Sequence, residues 1–202
     1  VRGAGVLDYR FNNLDVLRAE RGCLVIANHP SLLDYVLLAS VMNETDCLVK
    51  SALLRNPFVS GVIRAADYLI NSEADTLLAA SQQRLAQGDT LLIFPEGTRV
   101  GEAMTLQRGA ANIAVRCNSA VRVVVIHCSE RMLDKQSSWY NVPPNKPVFT
   151  VDVRERINIH DFYDASQHEP ALAARQLNRH MQHQLTTGLQ SLSGTKDASA
   201  LS

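Results

Sequence analysis

"CLVIANHPSLLDYVLL" (residues 23–38) joins an unbroken apolar run to a histidine and then to apolar residues at helical spacing. The run "CLVIAN" (23–28) has the pattern of a strand covered on both faces, which a parallel sheet requires because helices pack on either side of it. Ser31 is a good N-cap, and "LLDYVLLASVM" (32–42) reads as the helix that follows, with Asn43 as its stop. His29 therefore falls at the carboxyl edge of the sheet, where open α/β folds place their ligand crevice. Asp34, in the first helical turn, is placed to reach back to one imidazole nitrogen. That bond would fix the tautomer, leave the other nitrogen as a general base and stabilise the imidazolium that forms. A histidine that merely caps the helix explains the same spacing, so a second motif has to decide.

Outward from this unit the pattern repeats. "DCLVK" (46–50) reads as a second strand, and "NPFVSGVIRAADYLIN" (56–71), with Pro57 and Gly61, as a turn, a short helical piece and a strand at its end. An amphipathic helix is predicted over 72–86, closed by "QGD" (87–89), in which Gly88 is the terminator. "TLLIF" (90–94) is the next buried strand, "LQRGAANIAVRC" (106–117) the next helix, and "AVRVVVIHC" (120–128) the next strand. A proline-rich connector (142–147) leads to the strand "VFTVDV" (148–153). A terminal helix over 171–192 follows, with residues 194–202 as a flexible tail. Alternating strands and helices predict an α/β class: a single domain over 1–193, with a largely parallel or mixed central sheet flanked by helices.

Composition narrows the function classes. In 202 residues, 46% apolar content is enough for a substantial core. Twenty basic residues balance twenty acidic ones, so nothing global points to nucleic acid or to an acidic partner. Cys23, Cys47, Cys117 and Cys128 form no C-x-x-C pair and sit mostly in apolar runs, which predicts reduced, packed thiols and a reducing, cytosol-facing compartment. No apolar run approaches the ~18 residues that cross a bilayer, and no signal peptide is evident. The chain starts at Val1, so an upstream anchor stays open.

The second motif is "FPEGTR" (94–99), directly after "TLLIF" and hence expected at the same sheet edge as His29. Pro95 ends the ladder, Gly97 lets the backbone approach a ligand, Thr98 supplies a hydroxyl, and Arg99 offers a fork of donors matched to a phosphate. Glu96 is placed to orient that guanidinium. An ordinary Pro-Gly turn with an exposed ion pair is the structural alternative for this hexamer taken alone.

Taken together, "NHPSLLD" and "FPEGTR" resemble the paired signature of the glycerolipid acyltransferase family, which includes lysophosphatidic acid and related bacterial lysophospholipid acyltransferases. The first is similar to the family's H-x-x-x-x-D block, and the second matches its F-P-E-G-T-R block letter for letter. "RGAANIA" (108–114) extends the likeness, which covers about half of the chain. The resemblance implies transfer of a fatty acyl group from an acyl-CoA or acyl carrier protein thioester to a lipid hydroxyl, with no metal or bound cofactor. It assigns His29 as general base, Asp34 as its partner, and Glu96, Gly97, Thr98 and Arg99 as the holders of the acceptor. Family members transfer directly, without an acyl-enzyme, which fits the lack of an evident Ser or Cys nucleophile. The partners implied are a membrane lipid acceptor and the thioester donor, at the cytoplasmic face of a bacterial inner membrane.

The chain also departs from the family pattern. Where the family carries Lys, Glu, Pro, Gly and a final phosphate-binding Arg, this sequence keeps Lys50, Pro57 and Gly61, but has Ala52 for the Glu and Asn71 near the final Arg. Arg64 is a candidate substitute, with a solvated position on an amphipathic turn as its structural alternative. "AVRVVVIHC" lacks the proline often found in the later family block, and its His127 reads as a satisfied sheet-edge histidine. These departures leave several acceptors open: lysophosphatidic acid, a lysophospholipid with a larger head group, an acylated amino acid, or a specialised lipid or polyene. A non-catalytic acyl-lipid or carrier-docking module and a hydrolase also remain as rivals. "LLRNPFVSGVIR" (53–64) mixes apolar and basic residues as a shallow membrane-contacting segment would, and core packing explains its apolar positions as well.

Overall fold

A computed structural model describes residues 7–28, 34–42, 45–50, 69–71, 74–95, 106–130, 145–164 and 169–199. The elements in chain order are β1 (Asp8–Asn12), α1 (Leu14–Ala19), β2 (Leu24–Ala27), α2 (Asp34–Ala39), β3 (Thr45–Lys50), β4 (Leu69–Asn71) and α3 (Ala74–Ala86). There follow β5 (Thr90–Ile93), α4 (Gly109–Arg116), β6 (Val121–Cys128), β7 (Val148–Ile157), a 3-10 turn (Ile159–Asp161) and α5 (Pro170–Ser199). The strands form one sheet in the order β1-β7-β6-β2-β5-β3-β4. From β6 to β4 all neighbours are parallel, whereas β7 runs antiparallel to β6 and carries β1 parallel to itself. The sheet is therefore mixed, and the domain is α/β as its pattern predicts.

The two innermost strands are those read as continuous apolar runs. Every residue of β2 and of β5 is buried, because helices cover both faces. Leu24, Ile26, Leu91, Ile93 and Val123 face a core completed by α3, α4 and α5. Val25, Ala27, Leu92, Val124 and Ile126 face the opposite core, closed by Leu17 of α1 and Leu38 of α2. Gly88 ends α3 with φ 93, the conformation for which a glycine terminator is needed. Its carbonyl accepts from the amide of Gly22 at 2.9 Å, so β2 and β5 start level.

Several boundaries differ from expectation for identifiable reasons. β1 and α1 are not anticipated by the apolar pattern: "DYRFN" alternates only weakly, and α1 is a helix of 6 residues with one buried side chain, Leu17. β7 runs past Val153 to Ile157, through "RER", and places Arg156 opposite Arg122 of β6. Two like charges in register disfavour a ladder. Here buried Glu20 accepts from Arg122 Nε at 2.6 Å, while Arg156 lies 3.6 Å from its other oxygen. α5 continues through Gly194 to Ser199, where a tail was expected. Ser31 and the helical piece predicted before β4 lie outside the described residues.

Candidate active site

Strand pairing sets the two strands that precede the motifs side by side. β2 and β5 are adjacent and parallel, with Leu24 opposite Leu91, Val25 opposite Leu92 and Ile26 opposite Ile93. Continued by two positions, this register sets Asn28 level with Pro95, so the segments starting at His29 and Glu96 leave neighbouring strands at the same edge. Paired strands lie about 4.8 Å apart, which is within the reach of one small acceptor group. Pro95 has no amide hydrogen to extend the ladder.

Lys50 belongs to the same edge. It closes β3, the strand on the other side of β5, and its register partner is Asn71 at the end of β4. Asn71, which stands near the family's final arginine, thus ends a strand beside Lys50. Asp34 opens α2 and is completely buried, a position that a carboxylate occupies only when it is paired or hydrogen-bonded. His29, Glu96, Gly97, Thr98, Arg99 and Arg64 lie outside the described residues. What the fold fixes is the points at which the chain enters and leaves these segments.

Those points are held firmly. Asn28 is buried, and its side chain makes two hydrogen bonds to Ile126 of β6: Nδ2 donates to the carbonyl at 2.6 Å, and Oδ1 accepts from the amide at 2.7 Å. The segment beginning at Glu96 is closed at its base by the amide of Gln107 donating to the carbonyl of Pro95 at 2.8 Å. One residue earlier, the carbonyl of Leu106 accepts from Asn178 Nδ2 of α5 at 3.4 Å. Neither asparagine was singled out from the sequence. The available signal for Asn28 is an amide side chain at the end of a buried strand, where a polar group has to find a partner.

His127, one residue before the carboxyl end of β6 and so at the motif edge of the sheet, stands opposite Thr150 of β7, beyond the last β2–β6 pair. Cys23, Cys117 and Cys128 are not joined in disulfides, Cys23 being buried and the other two half-buried. A groove of about 830 Å³, lined by Arg116, Asn118, His160 and Tyr163 among others, lies where α4 ends and the 3-10 turn follows β7. This is the amino-terminal edge of the parallel strands, remote from both motifs. Among the described residues, no helix is long and apolar enough to cross a membrane, and no group of three or more His, Cys, Asp or Glu is arranged to hold a metal ion.

A family model described as "Acyltransferase" matches residues 8–129, more than half of the chain. The chain belongs to the acyltransferase family. This acyltransferase is 30% identical over 112 residues to the 1-acyl-sn-glycerol-3-phosphate acyltransferase of Helicobacter pylori, covering 51% of the chain and 47% of that relative. It is 26% identical over 132 residues to the enzyme of the same name from Pseudomonas aeruginosa, covering 61% of the chain and 51% of the relative. The chain thus spans about half the length of the curated relatives it matches.

Its fold is similar to the crystal structure of the 1-acyl-sn-glycerophosphate (LPA) acyltransferase PlsC from Thermotoga maritima. The TM-score is 0.64 at 19% identity, over 93% of this chain and 73% of that one. The family match ends at Ser129, before β7 and α5. β7 joins β1 to the rest of the sheet, and α5 bonds Leu106 through Asn178.

Proposed function

We propose that this acyltransferase moves a fatty acyl group from an acyl-CoA or acyl carrier protein thioester to the free hydroxyl of a lysophosphatidic acid or lysophospholipid acceptor. The observation that carries this reading is the register of β2 and β5, which launches the H-x-x-x-x-D and F-P-E-G-T-R segments from adjacent strands at one edge. His29 takes the proton of the acceptor hydroxyl as its oxygen attacks the thioester carbonyl. The tetrahedral adduct then expels the thiolate: a C–O bond has formed, the C–S bond breaks, and the imidazolium returns its proton to sulfur. Asp34 holds the imidazole tautomer and offsets its positive charge.

Arg99 grips the acceptor phosphate as a bidentate fork. Glu96 orients that guanidinium, Thr98 adds a hydroxyl, and Gly97 permits close approach. Lys50 contributes a cation from the end of β3, and Arg64 is assigned to the same phosphate grip. The scheme asks for a base, an oxyanion stabiliser and a held phosphate, and names no cofactor beyond the thioester co-substrate. Because the acyl chain passes between a membrane or carrier and the site, the protein works as a peripheral enzyme at the cytoplasmic face of a bacterial inner membrane. The apolar and basic residues of 53–64 are its proposed contact.

Release of free thiol from the thioester, followed with and without lysolipid, tests the assignment. Release that depends on the acceptor and yields a two-chain lipid supports transfer. Release without acceptor indicates a hydrolase, and no release a binding module. A positioned base contributes about 10²–10⁴-fold in rate, so His29→Ala is expected to abolish measurable transfer with the fold intact. Parallel assays with lysophosphatidic acid, larger-headed lysolipids and a polyene alcohol identify the acceptor class.

A further inference from the structure

We infer that Asn28 is a positioning residue for transfer: its carboxamide pins the end of β2 to β6 and so fixes the point from which His29 leaves the sheet. This rests on the proposed role of His29 as the base. The backbone pairing of β2 with β6 ends at Ala27, opposite Val124. Beyond it, Asn28 donates to the Ile126 carbonyl at 2.6 Å and accepts from the Ile126 amide at 2.7 Å. A carboxamide offers the same donor and acceptor as a peptide group, so the side chain adds one more rung to the ladder beyond the last paired residue of the main chain.

Both partners are shielded, Asn28 being 3% and Ile126 0% exposed, so water competes for neither bond. Removing the amide strands two buried backbone groups. Among the common side chains only asparagine makes both bonds from this position: Asp lacks the donor, and Gln carries its amide one methylene too far. The very next residue is His29, and the H-x-x-x-x-D segment ends six positions after Asn28 at buried Asp34. The base is thus strung between two buried anchors, one on β6 and one on α2. Misplacing a reacting group by about 1 Å costs about 10²-fold in rate.

The test compares wild type, Asn28→Ala, Asp34→Asn and the double variant, each checked for folding by circular dichroism, with kcat and KM measured for thioester and lysolipid. The expected result is a fall in kcat of about 10²-fold in Asn28→Ala, with both KM values held within about threefold. The double variant is expected to lose little more than the worse single one, because both substitutions act on one imidazole. A kcat within about twofold of wild type, or losses that multiply in full as two independent defects would, overturns the inference. Should Asn28→Ala fail to fold, the isosteric Asn28→Asp, which keeps the acceptor and loses the donor, enters the same cycle under the same criteria. Folded His29→Ala is the control: full transfer by that variant removes the enzymatic reading itself, whereas an inactive His29→Ala beside a fully active Asn28→Ala removes only the positioning role.

Discussion

Cys23 and Asn28 flank β2: Asn28 is hydrogen-bonded to Ile126 at one end, while Cys23 is buried at the other. Burial, followed by the neighbouring Glu20 carboxylate, pushes the Cys23 thiol from its ordinary 9.0 up to about 12. The thiolate is disfavoured in the folded state, so Cys23 should resist alkylation at neutral pH for as long as the protein stays folded. Between pH 9.0 and about 12 the folded chain keeps a proton that the unfolded chain gives up. Stability therefore falls as pH rises through that window and is unaffected by this group below it, with a slope of about 1.4 kcal/mol per pH unit. Urea unfolding of wild type and Cys23→Ala at about pH 8 and pH 10.5 should show the advantage of wild type shrinking at the higher pH. A constant difference would refute the assignment. At this scale the burial of Asp34 at the start of α2 agrees with its place in the first turn of an apolar helix, while His29 lies outside the described residues. The role of Asn28 was not legible in the sequence, since its partner is a backbone group 98 positions away.

Among the elements, α5 meets β6 at a glycine. A Cβ on Gly188 would come within 2.6 Å of Val125 Cγ2, a stiff, fully buried β-branched side chain in the middle of the sheet. Gly188→Ala gains about 1 kcal/mol of helix propensity but overpacks the core at a cost of about 1–3 kcal/mol. A net loss of stability is expected in thermal or urea unfolding, and Val125→Ala in the same chain should recover part of it; an unchanged or raised melting temperature would contradict the contact. At the amino-terminal edge, Glu20 pairs with Arg122 and lies beside Arg156. Glu20→Ala should destabilise by about 3–5 kcal/mol, the usual result of removing one member of a buried pair, and should leave kcat of the folded fraction unchanged. The inner elements β2, β5 and α3 were readable because continuous burial and a glycine terminator leave plain local signals. β1, α1 and the end of β7 were not: their partners are supplied by distant strands and by Glu20, and local propensity says nothing of either.

For the whole molecule, the mixed sheet divides its labour between two edges. The carboxyl ends of β2 and β5 precede the H-x-x-x-x-D and F-P-E-G-T-R segments and those of β3 and β4 carry Lys50 and Asn71, while the amino ends are closed by an ion cluster and carry an open groove. The α/β class and the pairing of motifs were legible because each motif follows a buried strand. Their adjacency was not, because the order β2-β5 is a crossover that places strands distant in sequence side by side. Flotation of the full chain with anionic liposomes is expected to show association, and its absence would end the peripheral-membrane assignment. The most direct test of the shared edge is a crystal structure with a lysophospholipid acceptor bound. The phosphate is expected within about 3.2 Å of donors in residues 96–99 and, in the same molecule of ligand, the free hydroxyl within about 3.2 Å of the His29 imidazole. A phosphate seated in the Arg116 groove at the opposite edge, or a hydroxyl out of reach of that imidazole, would contradict it.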